Sequence, residues 1–303
     1  MLTRVGLIIL CGSIPKIKKT ECEQILDNSL AVTSWMPVFL VLLGFLVGGY
    51  GTMAGIGGGV VLLPVLLFIY PDANPGVLTS ISLLVVAINA SGGALAYARQ
   101  CRIDYRNGLL FAVATIPATV LGVWVLSFLS VEPFSLIFGM VMLAVAAFML
   151  FRPEFVQKEI ESPRRGTACS ITDSSGQTFE YTFNRPLGVV LSSGVGFIAG
   201  LLGIGGGVIH VPVMVYILRI PVHVAAATSH FILVFTAMAG VLSHLVLGNY
   251  ASNWPVALWL ALGVLPGSQF GAWLSRRLHS RMIVKLLALA LVLLGVRMLL
   301  NAL

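Results

Sequence analysis

Long apolar stretches separated by short polar ones run through most of the chain. They lie at residues 35–70, 76–98, 107–129, 133–151, 187–219, 222–247, 254–275 and 281–302. Several reach the roughly 20 residues that a helix needs to cross about 30 Å of hydrocarbon. The pattern predicts an all-α polytopic membrane protein.

One polar interval, 152–186, is long enough to divide the apolar stretches into two groups. Within it, "TACSITDSSGQTFEYTFN" alternates β-forming residues around Asp173, Ser174, Ser175 and Gly176. This alternation around a turn predicts a small β-hairpin over 167–183. We therefore divide the chain into a peripheral N-terminal tail (1–33), a first membrane region (34–151), a linker with the hairpin (152–186) and a second membrane region (187–303).

The two membrane regions carry similar motifs in the same order. "AGIGGGVVLLPVL" begins at Ala54, and "GLLGIGGGVIHVPVM" begins at Gly200. An offset of 148 pairs the three glycines and the downstream proline of one motif with those of the other. An offset of 149 pairs the later landmarks, which are Thr79-Ser80 with Thr228-Ser229, Pro117 with Pro266 and Gly122 with Gly271. Such matches indicate an internal repeat, a common construction in transporters.

The first apolar stretch of each repeat is too long for one ordinary helix, and the glycines interrupt it. It either crosses the membrane once or forms a broken, re-entrant hairpin that enters and leaves on one side. With hairpins, the loops at 99–106, 152–186, 219–222 and 276–281 share one side. That side then holds Arg99, Arg102, Arg106, Arg152, Lys158, Arg164, Arg165, Arg185, Arg219, Arg276, Arg277 and Arg281.

The opposite loops, near 71–75, 130–133 and 248–253, contain Asp72 and Glu132 and no Lys or Arg. With single crossings, the arginines of 99–106 and of 276–281 would fall on opposite sides. The positive-inside rule therefore favours the hairpins, with the basic side and the β-hairpin in the cytoplasm. The repeats are then inverted, and each consists of one broken hairpin and three transmembrane helices.

The composition agrees with a membrane protein and limits the function. The 303 residues are 58% hydrophobic and 10% charged, whereas soluble domains carry about 25% charged residues. Most of the basic residues behind the net charge of +7 lie in the tail or between the apolar stretches, which suits topology signals and lipid headgroups rather than nucleic acid. The sequence has no nucleotide-binding P-loop, catalytic triad or metal-ligand spacing. We expect no enzyme activity, no cofactor and no metal.

The glycine runs are the first candidates for a binding site. Glycines that open a membrane helix expose backbone groups, which only protein or a water-filled cavity can cover. The opening also creates a helix N-terminus, whose free amides attract anions. Two such ends meeting from opposite sides would bind a small anion. The substrate-binding candidates are Gly57, Gly58, Gly59, Gly205, Gly206 and Gly207. The alternative is that the glycines only permit close helix packing.

Polar side chains follow each glycine run at the start of the next apolar stretch. The further candidates for contact with the substrate are Thr79, Ser80, Ser82, Asn89, Thr228 and Ser229. Alternatively, each hydroxyl bonds to a carbonyl of its own helix. No Asp or Glu lies deep in an apolar stretch, which weighs against cation binding. His230 is the candidate for proton coupling, because histidine titrates near neutral pH.

The duplicated G-x-G-G-G at Gly55–Gly59 and Gly203–Gly207, with its downstream proline and the following Thr-Ser pair, resembles the sulfite exporter family TauE/SafE. The resemblance covers about residues 35–302. It implies a transporter in the bacterial cytoplasmic membrane that exports small sulfur-containing anions such as sulfite or organosulfonates by secondary transport.

The sequence leads to one main hypothesis and one alternative. The main hypothesis is a multi-pass secondary transporter that moves sulfite or a sulfonate by alternating access, with membrane lipid around it. A homodimer is one compatible assembly. The alternative is a membrane subunit or accessory protein that docks a partner through the hairpin at 167–183.

Overall fold

A computed structural model describes residues 36–70, 73–150, 166–249 and 254–275, and single residues between 277 and 299. The predicted tail 1–33 and the linker residues 152–165 lie outside the described residues. The described helices are α1 (Met36–Ala54), α2 (Gly59–Ile69), α3 (Pro75–Arg99), α4 (Tyr105–Leu126), α5 (Val131–Leu150), α6 (Arg185–Leu202), α7 (Gly207–Pro212), α8 (Val222–Val246) and α9 (Trp254–Ser275). The strands are β1 (Thr167–Thr172) and β2 (Thr178–Phe183).

Among the described residues, seven helices are long and apolar enough to cross a membrane. They are α1, α3, α4, α5, α6, α8 and α9. The prediction of a mostly helical, multi-pass membrane protein is therefore confirmed. The shorter apolar helices, α2 and α7, follow the two glycine runs, and α7 continues into a π-helical turn, Val213–Ile217.

Each glycine run interrupts a helix, as predicted. Three glycines of the first run have positive φ, which are Gly55 (78°), Gly57 (78°) and Gly58 (82°). The second run repeats this at Gly203 (67°), Gly205 (75°) and Gly206 (92°). Glycine adopts this left-handed conformation without the steric cost that a Cβ imposes. The motif therefore interrupts the helix between α1 and α2 and between α6 and α7.

Two helix pairs are in close, parallel contact through glycines. A Cβ built on Gly48 of α1 would lie 2.8 Å from the Val264 carbonyl oxygen of α9. A Cβ built on Gly196 of α6 would lie 2.6 Å from the Thr115 carbonyl oxygen of α4. Along each pair, the contacting residue numbers rise together. Small residues thus let these backbones approach closely, as in other membrane helix pairs.

The central helices α3 and α8 are antiparallel to each other. Thr79, near the start of α3, contacts His244 near the end of α8, whereas Gly93 contacts His230 further back in α8. The contacts between α3 and α9 and between α4 and α8 show that each of these pairs is parallel. Consequently α1, α3 and α9 point one way, and α4, α6 and α8 point the other way.

The predicted β-hairpin is present between α5 and α6. β1 and β2 pair antiparallel from Thr167 opposite Phe183 to Thr172 opposite Thr178. Asp173 and Gly176 lie in the turn, as predicted. On the inner face, the ring of Phe183 lies 6.0 Å from that of Phe111 in α4. The hairpin therefore packs on the membrane helices.

Polar contacts attach the hairpin to the α3–α4 connection. Arg102 forms a buried ion pair with Asp173, at 2.7 Å, and the hydroxyl of Tyr181 donates to Asp104 at 2.6 Å. Burial would raise the pKa of Asp173, but hydrogen bonds from Ser175 and Arg102 outweigh it and hold that pKa well below its usual range. Burial and the Asp104 carboxylate raise the pKa of Tyr181. The inner face of the hairpin is thus occupied within the chain, which leaves only its outer face for a partner.

Candidate functional site

The two glycine breaks lie against each other. A Cβ built on Gly59, at the start of α2, would lie 3.0 Å from both Cα and the carbonyl oxygen of Ile204 in the second break. A Cβ built on Gly207, at the start of α7, would lie 2.8 Å from Cα of Ile56 in the first break. The two contacts are equivalent at the predicted offset of 148. The fold therefore brings all six candidate glycines to one buried place.

The breaks lie level with the middle of the two central helices. Val86 and Leu233 are each the twelfth residue of a 25-residue helix, α3 and α8 respectively. Both side chains approach Gly57 and Gly205. One apolar side chain from each central helix thus packs against both breaks.

Both breaks present the first turn of a helix. Gly58 and Gly206 are the N-cap residues of α2 and α7, and neither cap is made by a side chain. Among the described residues, no backbone carbonyl accepts a hydrogen bond from the amides of Gly59 or Gly207. Such amides carry the positive end of the helix dipole and are suited to anions.

The hydroxyls at the start of α3 bond within their own helix. Thr79 donates to the carbonyl of Pro75 at 2.8 Å, and Ser80 donates to the carbonyl of Val77 at 2.7 Å. A Cβ built on Gly203 would lie 2.6 Å from Cγ2 of Thr79. Thr79 thus borders the second break through its methyl group rather than its hydroxyl, as the alternative for single hydroxyls predicted.

The corresponding pair in α8 separates into two environments. Ser229 donates to the carbonyl of Gly55 at 3.0 Å and so binds the first break directly. The Thr228 hydroxyl accepts from the amide of Asp104 at 3.0 Å, at the α3–α4 connection. Thr228 is therefore held away from the breaks by its hydrogen bond.

Thr79 and Thr228, which the sequence repeat pairs, do not make equivalent contacts with the two breaks. Gly203 faces Thr79, but the matching Gly55 faces Ala226. The contacts of α3 and α8 with the breaks thus correspond at an offset of 147 rather than 149. The difference of two residues moves Thr228 to another face of its helix.

Ser82 and Asn89 are fully buried on α3. Oδ1 of Asn89 accepts from the hydroxyl of Thr52 in α1 at 2.9 Å. Nδ2 of Asn89 and Oγ of Ser82 have no hydrogen-bond partner in the described part of the chain. Buried polar groups without partners are rare in native proteins and require an explanation.

His230 is also fully buried, between α3 and α1. Its ring lies 5.5 Å from that of Tyr97 in an edge-on arrangement. The carbonyl of Ala226 interacts with the ring. However, no polar atom of the described residues has hydrogen-bond geometry with either ring nitrogen.

The sequence reasoning did not identify several residues of this centre. Val86 and Leu233 look like ordinary apolar helix residues, and only their equal depth opposite the breaks distinguishes them. Thr52 lies three residues before Gly55, so its closeness to the motif was an available signal. The contribution of Tyr97 depends on packing between distant helices, for which the sequence has no signal.

Within the described ranges, no group of three or more His, Cys, Asp or Glu residues is arranged to hold a metal ion. The polar groups around the breaks are instead backbone amides, hydroxyls, the side-chain amide of Asn89 and the imidazoles of His210 and His230. All of these groups can donate a hydrogen bond, as an oxyanion requires.

Comparison with known proteins gives consistent matches. The family model described as Sulfite exporter TauE/SafE matches residues 40–298. The "Probable membrane transporter protein YunE" of Bacillus subtilis (strain 168) is 32% identical over 264 residues, which cover 85% of this chain and 95% of that protein. YjnA of the same strain, also named a probable membrane transporter protein, is 25% identical over 272 residues, 87% of this chain and 100% of that protein.

A further relative, named "Probable membrane transporter protein", comes from Xylella fastidiosa (strain Temecula1). It is 26% identical over 243 residues, which cover 79% of this chain and 83% of that protein. No solved structure matches the chain significantly. Neither these matches nor the described contacts support the homodimer that the sequence allowed.

Proposed function

Because the chain belongs to the sulfite exporter TauE/SafE family, we propose that it carries a small sulfur-containing anion, sulfite or an organosulfonate, across the membrane. Family membership, the named relatives and the seven apolar helices support a multi-pass membrane transporter. The substrate, the direction and the mechanism are parts of the proposal. The observation that carries it is the contact between the two glycine breaks at the middle of the central helices.

The transport mechanism is alternating access between two inverted repeats. The helix directions favour this arrangement. Because α1 and α3 are parallel, the chain after the first break must lead back to the side of the membrane on which α1 began. The same holds for α6 and α8 around α7. The first helices of the two repeats, α1 and α6, run in opposite directions, as inversion requires. Transporters of this type bind their substrates at the repeat interface near mid-membrane.

The anion binds at the glycine breaks. The first-turn amides of α2 and α7 supply hydrogen bonds and positive dipole ends from opposite directions. Of the polar candidates, Ser229 contacts the first break, and Ser82 and Asn89 offer polar atoms without partners among the described residues. The hydroxyls of Thr79, Ser80 and Thr228 are bonded elsewhere. Glycine is needed there because a Cβ on Gly59 or Gly207 would meet the opposite break. Because glycine has no side chain, the two breaks can pack closely, and their backbone amides are left uncovered for a ligand.

The charge of the described membrane helices suits an anion. Asp104 caps the start of α4, and Glu132 lies in the first turn of α5. The buried polar residues of α3 and α8 are Thr, Ser, Asn and His. An anion at the breaks therefore meets no carboxylate from these two helices. Two buried histidines, His210 and His230, lie beside this centre. Nε2 of His210 is hydrogen-bonded to the hydroxyl of Ser192 at 3.1 Å, and we assign His230 the role of coupling protonation to anion movement.

The orientation follows from the basic loops. The described arginines Arg99, Arg102 and Arg185 flank the β-hairpin side of the helices. By the positive-inside rule, this side of the protein is the cytoplasmic side of a bacterial inner membrane. Export then moves the anion from this side, past the breaks, to the opposite side.

Flux into proteoliposomes tests the proposal. Vesicles with purified protein should exchange radiolabelled sulfite or sulfoacetate faster than empty vesicles and than vesicles with an unrelated membrane protein. Chloride flux should not show the same increase. Equal rates for all vesicles, with both sulfur anions, would contradict the proposed function.

A further inference from the structure

Unpaired polar groups collect at one place beside the glycine breaks. Asn89 and His230 are each 0% exposed. Nδ2 of Asn89 and both ring nitrogens of His230 have no hydrogen-bond partner among the described residues. Native proteins pair nearly all such groups with protein or water. The missing partner at this place is therefore expected to be a ligand or water molecules.

The two residues are neighbours through α1. A Cβ built on Gly93 would lie 2.8 Å from Nε2 of His230 and 3.0 Å from Cγ2 of Thr52. The hydroxyl of Thr52 donates to Oδ1 of Asn89. This bond occupies the carbonyl end of the amide and leaves its NH₂ end free. We name Thr52, Asn89, Gly93 and His230 the donor cluster.

The matching place on the other side of the breaks differs. There, Gly240 occupies the place of Gly93, and its neighbour is Leu83 instead of a histidine. The hydroxyls of Thr236 and Thr115 are bonded to each other at 2.9 Å. The unpaired Asn89 amide and His230 imidazole thus have no unpaired equivalent at the matching positions, Thr236 and Leu83. On that side, Oγ of Ser82 is the polar atom of α3 without a partner in the described part of the chain.

The donor cluster lies on the basic side of the breaks. Val86 marks the depth of the breaks on α3, and Asn89 and Gly93 follow it toward Arg99 and the basic loop. An anion that enters from the basic side would therefore reach the cluster before it passes Val86 and Leu233.

We infer that the donor cluster is a side-chain binding site for one oxyanion, with Asn89 Nδ2 and an N–H of His230 as its ligands. This inference rests on the proposed function and deepens it. It adds Thr52 and Gly93 to the site and places the side-chain ligands on one side of the symmetric backbone breaks. Thr52 orients the Asn89 amide, and Gly93 leaves the space that the imidazole occupies.

Sulfite binding to the purified protein in detergent tests this inference. Asn89→Leu and His230→Leu should each weaken binding at least about tenfold, because hydrogen bonds to a charged ligand are stronger than neutral ones. Asn89→Asp keeps the shape but places a negative charge beside the anion, and it should weaken binding at least as much. Thr236→Val removes a buried hydroxyl of similar depth from α8 and should keep the wild-type affinity.

The outcomes separate this inference from the proposed function. Wild-type affinity in both Asn89→Asp and His230→Leu would overturn the donor cluster, while sulfite flux by the wild type would still support the transporter. Wild-type protein that binds no sulfite would overturn both. If the leucine variants aggregate in size-exclusion chromatography, sulfite binding is measured with the nearly isosteric Asn89→Asp and the milder His230→Gln instead. Wild-type affinity in both of these variants would then overturn the donor cluster.

Discussion

Gly59 lies against Ile204, so that a single added Cβ would come within 3.0 Å of the opposite backbone. The contact joins the start of α2 to the second glycine break, and the corresponding contact of Gly207 with Ile56 joins the start of α7 to the first. Two sequence motifs that lie about 150 residues apart thereby become one structural centre.

Bulky residues at the N-caps of α2 and α7 should stop transport. Gly58 and Gly206 have φ of 82° and 92°, where a side chain costs roughly 1–2 kcal/mol. A Cβ on Gly58 would also lie 2.7 Å from Cγ1 of Val47, whereas the nearest atom to a Cβ on Gly206 lies at 3.0 Å. We expect Gly58→Val and Gly206→Val to lose sulfite flux at least tenfold, with the larger loss of thermal stability in Gly58→Val.

The matched control for these variants is Gly194→Ala. Gly194 is an exposed residue of α6, and a Cβ there would meet nothing within 4 Å. This variant should keep both flux and melting temperature. Normal flux in Gly206→Val would show that the second break does not need its left-handed backbone.

Glycines between parallel helices should determine stability rather than substrate affinity. A Cβ on Gly196 would lie 2.6 Å from the carbonyl oxygen of Thr115, so that Gly196→Val forces α4 and α6 apart. Overpacking of this kind costs about 1–3 kcal/mol. The melting temperature in detergent should fall by several degrees, whereas Gly194→Val on the same helix should leave it unchanged. An unchanged melting temperature in Gly196→Val would contradict the close contact of the two helices.

The ion pair between Arg102 and Asp173 should hold the β-hairpin in place. The Asp173 side chain is 1% exposed, and that of Arg102 is 10% exposed. Removal of one partner from a buried pair leaves the other charge unpaired, at a cost of about 3–5 kcal/mol. Asp173→Asn should therefore increase hydrogen exchange of the amides in β1 and β2. Ser170→Ala, at an exposed position of β1, is the control and should leave exchange nearly unchanged.

The same contact predicts a pH dependence for the hairpin. Because the folded pKa of Asp173 is lowered, its contribution is fully present above the ordinary aspartate pKa of about 3.9. The contribution is lost as the pH falls from that value through the lowered folded pKa. Hairpin protection in the wild type should be constant from pH 7 to about pH 4.5 and decline below pH 4. A decline that begins near pH 6, or one that is equally large in Asp173→Asn, would contradict this assignment.

The bond from Ser229 to the first break should affect transport. Its hydroxyl donates to the carbonyl of Gly55, and a buried hydrogen bond contributes about 1 kcal/mol. Ser229→Ala should reduce sulfite flux severalfold without a change in protein yield. Ser243→Ala is the control on the same helix, because that hydroxyl bonds to a carbonyl of its own helix. Equal flux in the two variants would remove Ser229 from the site.

The apolar pattern and the turn residues were sufficient to predict much of the fold. Hydrophobic length predicted the spanning helices, and the glycine runs predicted where α1 and α6 end. Alternation around Asp173 predicted the hairpin. These features depend on local chemistry, since glycine permits positive φ and β-forming residues favour extended strands.

The details of the site depended on packing between distant segments, which the sequence alone does not specify. The pairing of Thr79 with Thr228 was shifted by two residues relative to the contacts. Thr79 is the fifth residue of α3 and Thr228 is the seventh residue of α8, whereas the breaks lie level with the twelfth residue of both helices. A shift of two residues rotates a side chain by about 200° around a helix. For the same reason the sequence could not show that Gly93 faces His230 or that Tyr97 packs beside it.

The most direct measurement is a structure determined with bound substrate, in which sulfite or its heavier analogue selenite is located by density or anomalous scattering. We predict one anion beside the first-turn amides of α2 and α7, within hydrogen-bond distance of Asn89 or His230. An anion bound only at the basic loops, with the contact between Gly59 and Ile204 unchanged at saturating concentration, would contradict a substrate site at the glycine breaks.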